Sequence, residues 1–495
     1  MCTSKILFLF SNLILTLFIL PAEAQVETIE LSMEQCISFA IVGSTDSKIA
    51  ITQKHRSDWQ YRSYLAETRP GVILEATLPA YNNIITNVLQ NDGTYKYLPQ
   101  TNMELYTGLA VSQNIGLTGG KVFLRSDLYR FDLLGDSSKT TSYLSSPLYI
   151  GINQPLFGFN QYKWKKKIEP ALYYESQLQY VENLEEIRVK TVGLFFNALT
   201  IQQQLLNLEL NSLNNDTLYG IGKERFRIGA ISETELMQLE LQSLKANNEL
   251  ESRKITLKNQ LRQLQVYLKM DNSVKLQLII PDITPFVQIN EAIALSEAWK
   301  NRPEPLAFNR RVIESKMKLD QAKKERGLNM NLYATYGITQ DAAVLSDAFK
   351  NFDNQKIATL GLSLPILDWG EAKGRIKMAQ SELDLENEKI EQEKNAFDQQ
   401  IRQKVDEFNE QQLQLGLLKK SVQIANKSYY LIKQRYLSSQ ISLLELFTAQ
   451  SDKDQAELAL IDGIRNYWLL YYEIRQFTLY DFVKNSKIEY SASVY

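Results

Sequence analysis

The phrase RFRIGAISETEL at residues 225–236 returns 210 positions later as RYLSSQISLLEL at 435–446. Arg225/Arg435, Ile231/Ile441, Ser232/Ser442, Glu235/Glu445 and Leu236/Leu446 coincide, and Phe226 is answered by Tyr436. At the same offset Pro155 in INQPLF meets Pro365 in LSLPIL, and no gap is needed from there to the Glu235/Glu445 pair. Further upstream the register is 256: MEQCISFA (33–40) faces INEAIALS (289–296), and Gly71 faces Gly327. An ordered set of parts written twice is a duplicated architecture. The first half carries 46 extra residues, all between Gly71 and Pro155.

Within each half the period of the apolar residues changes. In RPGVILEATLPAYN (69–82), Val72, Leu74, Ala76, Leu78 and Ala80 alternate with Ile73, Glu75, Thr77 and Tyr81. NMNLYATYGITQ (329–340) alternates in the same way, as do LYIGINQPLF (148–157) and IATLGLSLPI (357–366). This is strand periodicity. Strands of about ten residues, apolar on one face and small or polar on the other, fit a transmembrane barrel wall. By alternation alone they fit a soluble sandwich equally well.

After each strand pair the period becomes helical. From about 158 to 226 and from about 369 to 437 the only proline is Pro170, near the first start. At about 1.5 Å per residue each helix would run about 100 Å, which demands a coiled coil or a tube wall. Ile187, Leu194, Ile201 and Leu208 recur every seven residues, as do Val192, Leu199, Leu206 and Leu213; in the second half Ile401, Phe408, Leu415, Val422, Tyr429 and Tyr436 do the same. Two apolar seams on one helix mean neighbours on both sides. The helices after the repeated phrases, about 232–270 and 442–480, are shorter. The first helices of the halves, about 31–68 and 287–325, would stack end to end on them, leaving the repeated phrase as the far turn of each half. Four strands cannot close a barrel, because open edges in lipid leave backbone groups unpaired, so copies must combine. Three copies would give twelve strands.

Several classes are excluded by composition. A net charge of -2 offers no concentrated basic surface for nucleic acid. One histidine, His55, in the charged run QKHRSDWQ, rules out multi-histidine metal sites, and a surface role suits it better than a Ser-His-Asp triad. No catalytic residues, metal ligands or cofactor site are expected. Lys5, the apolar ILFLFSNLILTLFIL (6–20) and Ala22-Glu23-Ala24 read as a removable export signal over 1–24. Cys36 is then the one cysteine of the mature chain, a buried small hydrophobe by default. The expected organisation is a signal at 1–24, a first repeat at 25–285, a second at 286–482 and a loose tail at 483–495. The first repeat comprises a helix, strands within 71–157 with an inserted hairpin, and a long helical hairpin.

The ordered set LSMEQCISFA, QPLF, LPILDWGEAK and the paired turn phrases resembles the TolC-like outer-membrane efflux channels, over residues 29 to 482. The resemblance implies a mainly α fold with β-barrel strands. Duplicated helical hairpins would form a trimeric α-barrel tunnel in the periplasm, joined to a transmembrane β-barrel among outer-membrane lipid. It also implies a periplasmic adaptor (membrane fusion) protein and an inner-membrane transporter as partners, in tripartite efflux or type I secretion, with cargo passing chemically unchanged.

By position, the resemblance assigns the gate to Glu235 and Glu445, and adaptor contact to Arg225, Phe226, Gly229, Ile231, Arg435, Tyr436, Ser439 and Ile441. Glu stands where the family's usual residue is Asp, and Ser439 stands where glycine is expected. Carboxylates gathered round a pore would repel one another and attract cations. The same glutamates would also favour the helix starts on which they lie. The inserted hairpin, 104–115 and 121–133 joined by GLTGG, could lengthen the wall, form a lid or add strands. A secreted or envelope-associated coiled-coil fibre would explain the helices but not the returning strands, and a periplasmic hydrolase lacks a catalytic cluster.

Overall fold

The computed structural model describes residues 28–90, 92–134, 139–271, 274–282, 287–438 and 440–490. The predicted signal at 1–24 and Ser439 lie outside them. In chain order the first repeat holds β1 (Thr28–Leu31), α1 (Met33–Gly43), α2 (Thr45–Glu67), β2 (Gly71–Leu89), β3 (Tyr95–Asn114), β4 (Lys121–Leu134), β5 (Lys139–Leu156), α3 (Gln161–Arg227), α4 (Glu233–Leu268) and β6 (Lys275–Leu278). The second holds α5 (Glu291–Asn301), α6 (Glu304–Glu325), β7 (Asn329–Ala342), β8 (Asp353–Ser363), α7 (Glu371–Leu437) and α8 (Leu443–Thr478), followed by β9 (Tyr480–Asp481) and β10 (Ser486–Lys487). Helices α3 and α7 are each 67 residues long, and α4 and α8 each 36. The two hairpins are thus equal in length.

Two expectations from sequence need correction. The first helix of each half is broken in two. Ser44 turns to extended backbone and its side chain caps α2 by accepting the Ser47 amide, while Pro303 opens α6, where its missing N–H costs nothing. The supposed loose tail is also anchored as far as residue 490. Ile488 is buried, and the Tyr490 hydroxyl donates to Glu185 Oε1 at 2.6 Å.

The chain divides into two compact units, one holding residues up to Ala40 with Gly193–Ile283, the other Ile41–Val192 with the remainder from Thr284. In the first, β1 pairs in parallel with β6. Met33, Cys36, Phe195, Phe196, Leu199 and Leu264 are buried without residual exposure. Burial pushes the Cys36 thiol up to about 12. Gln202 binds β6 as a backbone would: Nε2 donates to the Leu278 carbonyl at 2.8 Å and Oε1 accepts the Leu278 amide at 2.9 Å.

The second unit is built on α7 packed with α8, α5 and α6. Of the predicted seam, Ile401, Phe408, Leu415 and Tyr436 are buried, and Val422 and Tyr429 are half-buried. Phe408 stacks on Tyr467, which also meets Trp468 edge-on. Gly463 admits the close approach of the two helices, since a Cβ there would lie 2.6 Å from Leu418 Cδ1. The same unit carries a six-stranded antiparallel sheet in the order β2-β3-β4-β5-β7-β8.

Candidate functional site

The two regions that can carry function are the helix–helix turns and the sheet. In the first turn, Gly229 adopts φ +74, a left-handed conformation in which a Cβ is strained. This lets the Gly229 amide reach the Phe226 carbonyl at 2.9 Å and the Ala230 amide reach the Arg225 carbonyl at 2.8 Å. Four of the α3 residues' last carbonyls would otherwise lack partners. Ser232 then caps α4 by accepting the Glu235 amide at 3.2 Å. Arg225, Phe226, Gly229, Ile231 and Glu235 are therefore gathered in one turn.

The second turn is built alike. The Gln440 amide donates to the Arg435 carbonyl at 3.0 Å, and Ser442 accepts the Glu445 amide at 3.3 Å. Here Glu445 also reaches back, its Oε1 accepting the Ser442 amide at 3.4 Å and hydroxyl at 3.0 Å. That is a complete capping box. Arg435, Tyr436, Ile441 and Glu445 share this turn, and Ser439 lies outside the described residues. Tyr436 is buried while Phe226, its counterpart, is 42% exposed. The turns also present Ile228 and Leu444, each 74% exposed. The sequence reading passed over both; an apolar residue between Arg227 and Gly229, or a second leucine two positions after a capping serine, was the available signal.

Apolar residues are exposed on the helices as well. The file Val192, Leu199, Leu206, Leu213 starts fully buried and ends 66% exposed. On α4, Met237, Leu241 and Leu244 are exposed at alternating spacings of four and three; on α7, Leu413, Leu417, Ile424 and Leu431 lie open along the helix. Such stripes are the seams that a further helix covers.

In the sheet, register fixes which side chains share a face. One row runs Val72, Val111, Leu124, Ile150, Tyr336, Lys356; the next runs Ile73, Ala110, Arg125, Tyr149, Gly337, Gln355. The first face is mainly apolar, though Gln113, Ser126, Gln154, Asn354 and Lys356 also lie on it, and Leu74, Leu109, Leu148 and Leu360 on it are all exposed. The second is polar and glycine-rich. There Arg125 donates to Glu75 at 2.8 Å and to Tyr106 Oη at 2.5 Å. Tyr106 and Tyr149 donate to the two oxygens of Asp127 at 3.1 and 2.5 Å. Gly108, Gly151 and Gly337 give these side chains room to lie flat: a Cβ on any of them would fall about 2 Å from Tyr106, Phe123 or Tyr149.

The inserted hairpin is part of this sheet, because β3 and β4 alternate in phase with β2 and β5 and so extend both faces. A chain therefore supplies six strands, and the expected two per half, with twelve from three copies, is corrected to four in the first half and two in the second. Among the described residues no helix is long and apolar enough to cross a membrane, and no group of carboxylate, cysteine and histidine side chains could hold a metal ion.

Residues 294–468, most of the second repeat, match the family described as outer membrane efflux protein. Over those residues the chain is similar to this family. Solved structures agree in fold over nearly the whole length. The CmeC outer membrane channel of Campylobacter jejuni superposes with a TM-score of 0.67 at 16% identity, covering 93% of this chain and 87% of that one. A membrane protein from Pseudomonas aeruginosa gives 0.64 at 14%, covering 90% of each. The open state of the MtrE channel of Neisseria gonorrhoeae gives 0.61 at 12%, covering 90% and 88%. No curated protein matches in sequence. A match to this family goes with an outer-membrane location.

Proposed function

We propose that three copies of this efflux protein assemble into one exit duct that receives cargo from an inner-membrane transporter through a periplasmic adaptor. The reading is supported above all by the sheet, whose two edges, β2 and β8, have no neighbour among the described residues and whose exposed face is mainly apolar. Strand edges inside lipid must be paired. β2 and β8 run in opposite directions, so β8 of one copy can continue the antiparallel order onto β2 of the next. Three copies then close a wall of eighteen strands, with the Glu75, Arg125 and Asp127 face towards the lumen. A wall with more strands is wider in proportion. The exposed stripes on α3, α4 and α7 offer matching contacts between copies. A fibre would leave this wall without a purpose.

The turn residues are assigned in the same reading. Glu235 and Glu445 are the gate residues of the periplasmic mouth, and their charge makes it sensitive to pH and salt. Arg225, Phe226, Gly229, Ile231, Arg435, Tyr436, Ser439 and Ile441 meet the adaptor.

The test is a count of strands and copies. Purified protein in lipid nanodiscs is imaged by electron cryomicroscopy, and cysteines placed on β2 and β8 are oxidised. Threefold particles with eighteen strands and a crosslinked ladder ending at three are expected. A monomer, or β2–β8 crosslinks formed only within a chain, would refute the assembly.

A further inference from the structure

The apolar face of the sheet does not stop where the strands stop. On β8, Leu360 and Leu362 belong to it, and the same file runs on beyond the strand through Leu364 to Ile366, Leu367 and Trp369. Ile366 is 95% exposed and Trp369 91%. Trp369 is held at φ +51, a conformation that a bulky residue pays to adopt. Beside it, the two carboxylate oxygens of Asp368 accept the Gly370 and Ala372 amides, each at 3.0 Å.

The strand-to-helix passage of the first half repeats the device. Phe157 takes φ +65 and is 68% exposed. At the same level the β3–β4 turn presents Leu117, 90% exposed, and the Asn160 side chain pins it by donating to the Gly116 and Leu117 carbonyls at 3.1 Å. Three separate connections thus push large apolar groups outward at one end of the sheet.

Directly beyond these groups the charge is basic. Helix α3 opens with QYKWKKK and has no acidic residue in its first turn. A helix start disfavours cations, since its dipole end is positive, so these lysines are not there to stabilise the helix. Trp164 and Lys165 are taken up within the fold: the indole donates to Asp320 at 3.0 Å and Lys165 pairs with Glu67 at 2.8 Å. Lys163, Lys166 and Lys167 are exposed, with the Lys167 ammonium over the Trp164 ring at 5.3 Å. On α7, Lys373 and Lys377 are exposed one turn apart, four to eight residues after Trp369.

We propose that this junction is a seat for the periplasmic leaflet of the outer membrane. Leu117, Phe157, Ile366 and Trp369 enter the acyl boundary, and Lys163, Lys166 and Lys167 hold the phosphates of anionic phospholipids. The inference rests on the strands forming a membrane wall. It fits the two-zone chemistry of an interface, with aromatic and aliphatic groups against lysine headgroup contacts. It fixes the depth at which wall gives way to helices, and sets a preference for phosphatidylglycerol over zwitterionic lipid.

The full-length protein, in a Cys2→Ala/Cys36→Ala background, would be spin-labelled at Ile366→Cys or, as a control on the wall, at Leu360→Cys. It would be reconstituted in phosphatidylethanolamine–phosphatidylglycerol vesicles. Both labels should be open to oxygen and closed to a water-soluble nickel chelate. A label at 360 in lipid with one at 366 in water overturns the seat and leaves the wall; both in water overturns wall and seat together. In parallel, Lys163→Gln/Lys166→Gln/Lys167→Gln should reach the membrane fraction as the parent does. It should retain on the order of tenfold to a hundredfold less phosphatidylglycerol after detergent extraction, at about a factor of five per lysine. Equal retention would show that the lysines hold no phosphate.

Discussion

Gln412 grips Val287 by both of its backbone groups, accepting the amide at 3.0 Å and donating to the carbonyl at 2.8 Å. Gln202, its counterpart in the repeat, does this to Leu278. Duplication has thus kept a side chain that stands in for a strand neighbour. Gln412→Leu removes both bonds and leaves two backbone groups to find water, which should cost about 1–3 kcal/mol. Gln412→Glu keeps the acceptor and loses the donor, so it should fall between. The midpoint of denaturant unfolding in detergent measures both. A leucine variant within error of the parent would mean that the clamp holds nothing.

Glu445 is engaged as a cap, which bears directly on its proposed role as a gate. Glutamine can make the same capping-box bonds without the charge. If the carboxylates act on the pore, Glu235→Gln/Glu445→Gln should raise the open fraction of single channels in planar bilayers and weaken cation selectivity, with stability little changed. Glu445→Ala should lose about 0.5–2 kcal/mol of helix start. Channels altered only by the alanine variant would assign the residue to capping alone.

The Arg475 guanidinium sits between Glu185, at 3.0 Å, and Asp481. Glu185 has no exposed surface, and it also receives Arg188 at 3.1 Å and the Tyr490 hydroxyl. Breaking a buried pair costs more than the pair gains, because the remaining charge is stranded. Arg475→Met should lower stability by about 3–5 kcal/mol, and adding Glu185→Gln should restore part of the loss. A double-mutant cycle on thermal unfolding gives the coupling, and no coupling would refute the account.

Cys36 should be inert while the chain is folded. It is fully buried and its thiol is held far above the ordinary range, so the reactive thiolate is absent at pH 8. A maleimide should label it only after denaturation; rapid native labelling would show that α1 opens.

Much of this could be read along the chain, because the deciding forces are local. Ser232 and Ser442 stand at the helix starts that their sequence phrases imply, and the sevenfold file Ile401, Phe408, Leu415 is the buried one. The breaks at Ser44 and Pro303 were also written locally, as a capping serine and a helix-opening proline, but the apolar pattern running across them masked the interruption. What the pattern could not supply is pairing. Nothing in residues 95–134 states that their neighbours are Gly71–Leu89 on one side and Lys139–Leu156 on the other. Tyr490 likewise finds Glu185 across 305 positions, a contact with no trace in the sequence around either. The turn glutamates are legible only as helix starts, since a pore exists only between copies.

Glu182 gives the fold a pH dependence of unusual sign. Burial is the largest influence on it and pushes its carboxyl up to about 6, against the Arg302 guanidinium 2.9 Å away, which pulls it down. Glu304 and Glu186 add to the rise, and the Gln179 amide opposes it. The folded chain therefore binds this proton more tightly than the unfolded chain does. Between pH about 4.5 and about 6 the unfolded state loses its proton first, so the contribution of Glu182 to stability falls as pH rises. Above that window it settles into a constant penalty of about 2 kcal/mol, from roughly 1.4 kcal/mol per pH unit. Glu182→Gln removes the charge while Arg302 keeps its pairing with Glu304. The variant should match the parent near pH 4.5 and melt higher at pH 7.5, with the gap opening through the window. A lower melting temperature at pH 7.5 would mean that attraction to Arg302 outweighs burial, and the sign would be reversed.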